Sequence, residues 1–105
     1  MRTSARSMPI RMKVYEQGKE TLVAAADEDL LGKTFREGKF RIEVGAFYEG
    51  ERVTERTLLD RLRTATIGNF VGRETVDVVT RAGYVGEGGM LWSAGVPQAQ
   101  YVMME

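Results

Sequence analysis

Between Lys39 and Gly72 the spacing of the apolar residues changes once, and that change restricts the chain to folds that mix strands with helices. Phe40, Ile42 and Val44 alternate with Arg41 and Glu43, a period of two that places the apolar side chains on one face of a half-buried strand. Further on, Leu58, Leu59, Leu62, Ala65, Thr66, Asn69 and Phe70 recur at helical spacing, with Arg56, Asp60, Arg61 and Arg63 on the other faces. Thr54 stands where an N-cap belongs, and Gly72 where a helix stops.

The flanking segments extend this pattern. Met12 to Glu16, the turn Gln17-Gly18-Lys19 and the apolar run Thr21 to Ala26 read as a hairpin. Asp27 reads as the N-cap of a short helix carrying Glu28 and Asp29 in its first turn and Leu30, Leu31 and Phe35 behind them. After Gly72, Glu74 to Ala82 suggests a second helix stopped at Gly83. Met90 to Ser93 and Gln98 to Met104 read as strands joined through Gly95-Val96-Pro97. The expected fold class is α+β, a small mixed sheet in the order ββαβααββ with the helices packed on one side, rather than a doubly wound sheet.

A chain of 105 residues has room for one core. It buries roughly 65% of its unfolded surface, enough to fold without metals or disulfides. The expected division is a flexible tail over 1–11, with Met12 an alternative start, and a single domain over 12–105. Fifteen Lys and Arg balance fifteen Asp and Glu, so no whole-molecule field steers the chain toward nucleic acid or an anionic membrane, and such binding needs a local patch. Arg2, Arg6 and Arg11 are not followed by the apolar stretch of a secretory signal, and no apolar run approaches bilayer length, which points to a cytoplasmic protein.

There is no Cys and no His. A thiol nucleophile, a Cys- or His-ligated metal and an acid–base group with a pKa near neutrality are therefore all missing, and no cofactor is expected. Gly32-Lys33-Thr34 lacks the first glycine of a P-loop, having Asp27 in its place. Gly86 to Gly89 holds Glu87, which disfavours phosphate.

Two groups of residues remain as candidates. Lys33, Arg36, Lys39 and Arg41 against Glu37 give a net charge of +3 over nine residues beside Phe35 and Phe40, the composition of a site for single-stranded RNA. Asn69, Trp92, Gln98 and Gln100 combine a large ring with amides able to contact a ligand or partner.

Three segments together, Leu31-Gly32-Lys33-Thr34-Phe35-Arg36-Glu37-Gly38, Ala65-Thr66-Ile67-Gly68-Asn69-Phe70-Val71-Gly72 and Gly95-Val96-Pro97-Gln98-Ala99-Gln100, resemble an archaeal family filed as domain of unknown function four-two-four, in register over about Met12 to Met103. The resemblance implies a short cytoplasmic protein with no assigned activity. The family more often carries His where this chain has Gln98, so a position that gives up its imidazole is a poor acid–base candidate. The expectation is a non-enzymatic binding module for RNA or a ribonucleoprotein partner. The alternatives are a small enzyme using Lys33, Glu37 and Glu43, or a subunit of a protein complex. Oligomeric state is left open.

Overall fold

The run Val23–Ala26 is buried without interruption. Side chains of a strand alternate between faces, so four consecutive buried residues require cover on both sides of the sheet. The computed structural model, which describes residues 8–103, supplies both covers. The run belongs to β2 (Glu20–Asp27), which pairs antiparallel with β1 (Ile10–Gln17) and parallel with β6 (Ile67–Val71). β5 (Glu51–Val53) flanks β1, and β8 (Val96–Val102) and β7 (Met90–Ser93) follow β6, giving the order β5-β1-β2-β6-β8-β7. A separate hairpin joins β3 (Thr34–Glu37) to β4 (Phe40–Glu43).

Both helices, α1 (Glu55–Leu62) and α2 (Arg73–Arg81), lie on one side of the six-stranded sheet. Leu58 and Leu62 from α1 and Val76, Val78 and Val79 from α2 share a core with Val23, Ala25 and Phe70. Complete burial of a Leu or Phe side chain stabilises by about 1.5–3 kcal/mol. On the other side, Ile42, Val44 and Tyr48 close over Ala24, Ala26, Val71 and Val96, with Phe35, Leu30 and Leu31 at the margin. The alanines of β2 are small because layers approach it from both sides.

Several expected elements are corrected. No α-helix follows Asp27: Glu28–Leu30 is a single 3-10 turn, Gly32 takes φ +84°, and Phe35 lies in β3. The long helix stops at Leu62, and Ile67–Val71 is the inner strand β6, so a strand separates the two helices that were expected to meet. The order ββαβααββ is replaced by strands β1 to β5, then α1, β6, α2, β7 and β8. Helical spacing misled here because β6 buries residues on both faces, which erases its period of two. Leu58, Leu62, Ala65 and Phe70 nevertheless share one core. Pro97 lies within β8, and the turn is Ala94-Gly95 at φ 53° and 82°, both positive as a two-residue hairpin turn requires. Most of the expected tail, residues 1–7, falls outside the described residues, but Ile10 and Arg11 are part of β1. Among the described residues no helix is long and apolar enough to cross a membrane.

Asp27 does cap a helix, though one that starts 46 residues later. Its Oδ1 accepts hydrogen bonds from the Thr75 amide and hydroxyl, both at 2.8 Å, and its Oδ2 accepts from the Glu74 amide at 3.1 Å. The carboxylate thereby satisfies the open amides of α2 and sits at the positive end of its dipole. Space for it exists because residue 72 is glycine, at φ +108°.

A second carboxylate fixes the opposite sheet edge. Glu28 accepts from Arg52 Nε and Nη2 and from Arg11 Nε at 2.8–2.9 Å, joining β1, β5 and the 3-10 turn. Arg52 first and Arg11 second hold its carboxyl below the usual carboxylate range. Because the folded value is depressed, the stabilisation is complete above that range and disappears as pH falls through the depressed value. Glu28→Gln should therefore lower the urea midpoint at neutral pH and leave it nearly unchanged from the parent in strong acid. An equal deficit at both pH values would contradict the pairing.

Candidate nucleic-acid interface

The β3–β4 hairpin is short, and its register decides which residues reach solvent. Phe35 pairs with Ile42, and both turn toward the sheet, so the next pair, Arg36 with Arg41, turns outward. Two cations directly across a strand pair repel, which costs the hairpin stability. Glu43 relieves one of them, binding Arg41 Nη2 along the same face. Lys39 sits with Gly38 in the turn, and Phe40 beside it is 56% exposed. Among the described residues, Lys33, Arg36 and Lys39 have no carboxylate partner.

One contact sets where the tip points. Glu37 Oε1 accepts the amide of Ala94 at 2.7 Å, tying the hairpin to the β7–β8 turn. Glu37 keeps its negative charge but carries it toward the β7–β8 turn, on the hairpin face opposite Arg36 and Arg41. Arg73 binds the Gly95 carbonyl of the same turn through Nε at 3.2 Å and stands 5.7 Å from the Trp92 ring, a cation–π distance.

Lys33 lies at the base of the hairpin, lining a shallow hollow of about 370 Å³ with Glu43, Gly45 and Phe47. Gly32-Lys33-Thr34 leads into a strand rather than a helix, so the amide cradle of a P-loop is not formed there. Of the three residues considered for an enzyme, Lys33 and Glu43 share this hollow, while Glu37 is held at the tip by Ala94. Glu74 is the carboxyl pushed up, by partial burial first and then by Asp27, Asp77 and Glu55, and it belongs to the first turn of α2, away from the hairpin.

The second group divides three to one. Asn69 and Gln100 face each other across β6 and β8, and Gln100 Nε2 donates to Asn69 Oδ1 at 2.9 Å. Gln98, two residues along the same face, reaches the Tyr48 hydroxyl, partly offsetting the upward push that burial gives this phenol. A groove of about 230 Å³ runs past Gln98, Gln100 and Leu91. Trp92 faces the other way, toward Arg73 on the helix side, because it is one residue out of phase with Leu91, the partner of Gln98. Sequence reasoning missed Leu91, which alternation within Met90–Ser93 would have placed beside Gln98. It also missed the Glu37–Ala94 link, which joins residues 57 apart and has no local signal.

Residues 15–104 match the model of a family described as a protein of unknown function, DUF424, and the chain belongs to that family. A crystal structure of an uncharacterized conserved protein from Methanopyrus kandleri has the same fold, with a TM-score of 0.75 over 92% of this chain and 95% of that one at 23% identity. No curated protein matches the chain.

Proposed function

We propose that this member of the DUF424 family is a non-enzymatic binding module that holds single-stranded RNA, free or within a ribonucleoprotein, against the outward face and tip of the β3–β4 hairpin. The observation that carries the reading is the cross-strand pair Arg36 and Arg41. Their mutual repulsion works against folding, and a phosphate bridging them converts it into attraction. Lys39 extends the positive charge to the turn, Lys33 lies at the base of the hairpin, and Phe40, half exposed at the tip on the face opposite the arginines, offers a ring on which an unpaired base stacks as the strand passes over the turn. The neutral whole-molecule charge confines the attraction to this hairpin, which suits a contact of moderate strength within a larger particle.

Fluorescence anisotropy with a labelled single-stranded oligoribonucleotide tests this. The parent chain should bind at low salt and release as salt rises, with a log–log slope of about 0.7 per phosphate contact. Phe40→Ala should weaken binding about 5- to 150-fold, the equivalent of losing one base stack of about 1–3 kcal/mol. Arg36→Glu combined with Lys39→Glu should abolish it. Binding by the double variant at parental strength, or no binding by the parent at low salt, would overturn the proposal.

A further inference from the structure

Of the cations on the β3–β4 hairpin and at its base, Arg41 is already engaged. Its Nη2 donates to Glu43 Oε2 at 2.5 Å, whereas Lys33, Arg36 and Lys39 have no carboxylate partner among the described residues. Glu43 follows Arg41 at the next position on the same face of β4, and the residue across the ladder from it is the uncharged Thr34. The side chains of Arg41 and Glu43 are 52% and 61% exposed. Water and salt reach such a pair and keep it weak, so an anion with better contacts takes its place. A phosphate on this face has those contacts. It bonds Arg41 as a carboxylate does and also reaches Arg36 directly across the ladder, while Glu43 pairs with Arg41 alone.

We propose that Glu43 is a built-in competitor of the hairpin's phosphate site, holding Arg41 while the chain is free and giving it up when a strand binds. The inference rests on the reading of this hairpin as an RNA surface and adds the residue that regulates it. Glu43 acts with opposite signs in the two states. In the free chain it offsets the repulsion between Arg36 and Arg41. In the complex the phosphate takes over that task, and Glu43 is left beside it as a second negative charge. What the pair contributes to the free hairpin is therefore lost from the affinity. Glu37 provides the internal comparison: it is the hairpin's other carboxylate, lies on the opposite face and accepts the amide of Ala94 instead of a cation.

A double-mutant cycle read by fluorescence anisotropy with a labelled single-stranded oligoribonucleotide tests the proposal. Glu43→Gln, an isosteric change at an exposed position, should tighten binding about three- to tenfold at low salt. It should also steepen the log–log salt slope by up to about 0.7, because no freed carboxylate gathers a cation when the phosphate arrives. In an Arg41→Gln chain the same change should alter affinity by less than about twofold, since there is no pair left to break. Glu37→Gln should keep the parental slope. In the parent, the side-chain carboxyl carbon of Glu43 should shift as the strand is added. A parent that binds while Glu43→Gln leaves affinity and slope unchanged would overturn the competitor and leave the RNA surface standing. So would a gain that persists in the Arg41→Gln chain, or an equal gain from Glu37→Gln, either of which means a general effect of net charge. A parent that does not bind at low salt would remove both readings.

Discussion

Gly72→Ala should destabilise the domain by about 1.5–5 kcal/mol, adding a strained φ of about 1–3 kcal/mol to the loss of a helix cap worth about 0.5–2 kcal/mol. Total stability for a domain of this kind is on the order of 5–15 kcal/mol, so the variant is expected to lose a substantial share of it. An alanine methyl would lie 2.3 Å from the Asp27 carboxyl carbon and 2.6–2.7 Å from its oxygens. The carboxylate is confined between β2 and α2, and moving it away abandons the Thr75 and Glu74 amides. Asp27→Ala should cost about 2–4 kcal/mol by leaving those buried donors unsatisfied. Because both substitutions break the same cap, the second should cost less in the presence of the first, and urea denaturation of the four chains measures this coupling. Fully additive losses would mean that the glycine serves only its own backbone angle.

The second large effect is centred on Phe70, the bulkiest of the completely buried side chains. Phe70→Ala should cost about 3–5 kcal/mol, the usual range for emptying a core site of a phenyl ring. The ring lies back along β6 over Gly68, where an added Cβ would come within 2.4 Å of its tip. Gly68→Ala alone should therefore also destabilise, by about 1–3 kcal/mol, as overpacking does. Combined with Phe70→Leu, which withdraws the tip, the alanine fills vacated space, and the double variant should be more stable than the sum of the single losses predicts. Thermal denaturation of the set decides this, and a strictly additive result would place the two residues in separate environments.

Much of this arrangement was legible before any coordinates. The β1–β2 hairpin, the start of α1 at Thr54 and the strand Phe40–Glu43 follow from local periodicity and capping. What failed did so through competition between local and tertiary partners. Asp27 followed by two acidic residues has every local mark of an N-cap, yet its oxygens are taken by α2 across the sheet. Gly72, read as a helix stop, opens α2 instead and makes room for that cap. Ile67–Val71 lost its strand signature because Val71 on one face and Gly68 and Phe70 on the other are all buried. In the candidate site, the alternation of Arg36, Arg41 and Phe35 was visible in the sequence. Their cross-strand register was not, since it depends on the Gly38-Lys39 turn having two residues.

The measurement that tests the account most directly is a titration of the isotopically labelled protein with a single-stranded oligoribonucleotide, followed through backbone amide shifts. The account predicts changes concentrated in residues 33–43, with Arg36, Lys39, Phe40 and Arg41 moving most and with all of them reversed by added salt. Shifts confined to Asn69, Gln98 and Gln100 on the open sheet face, or a spectrum that does not change, would contradict it.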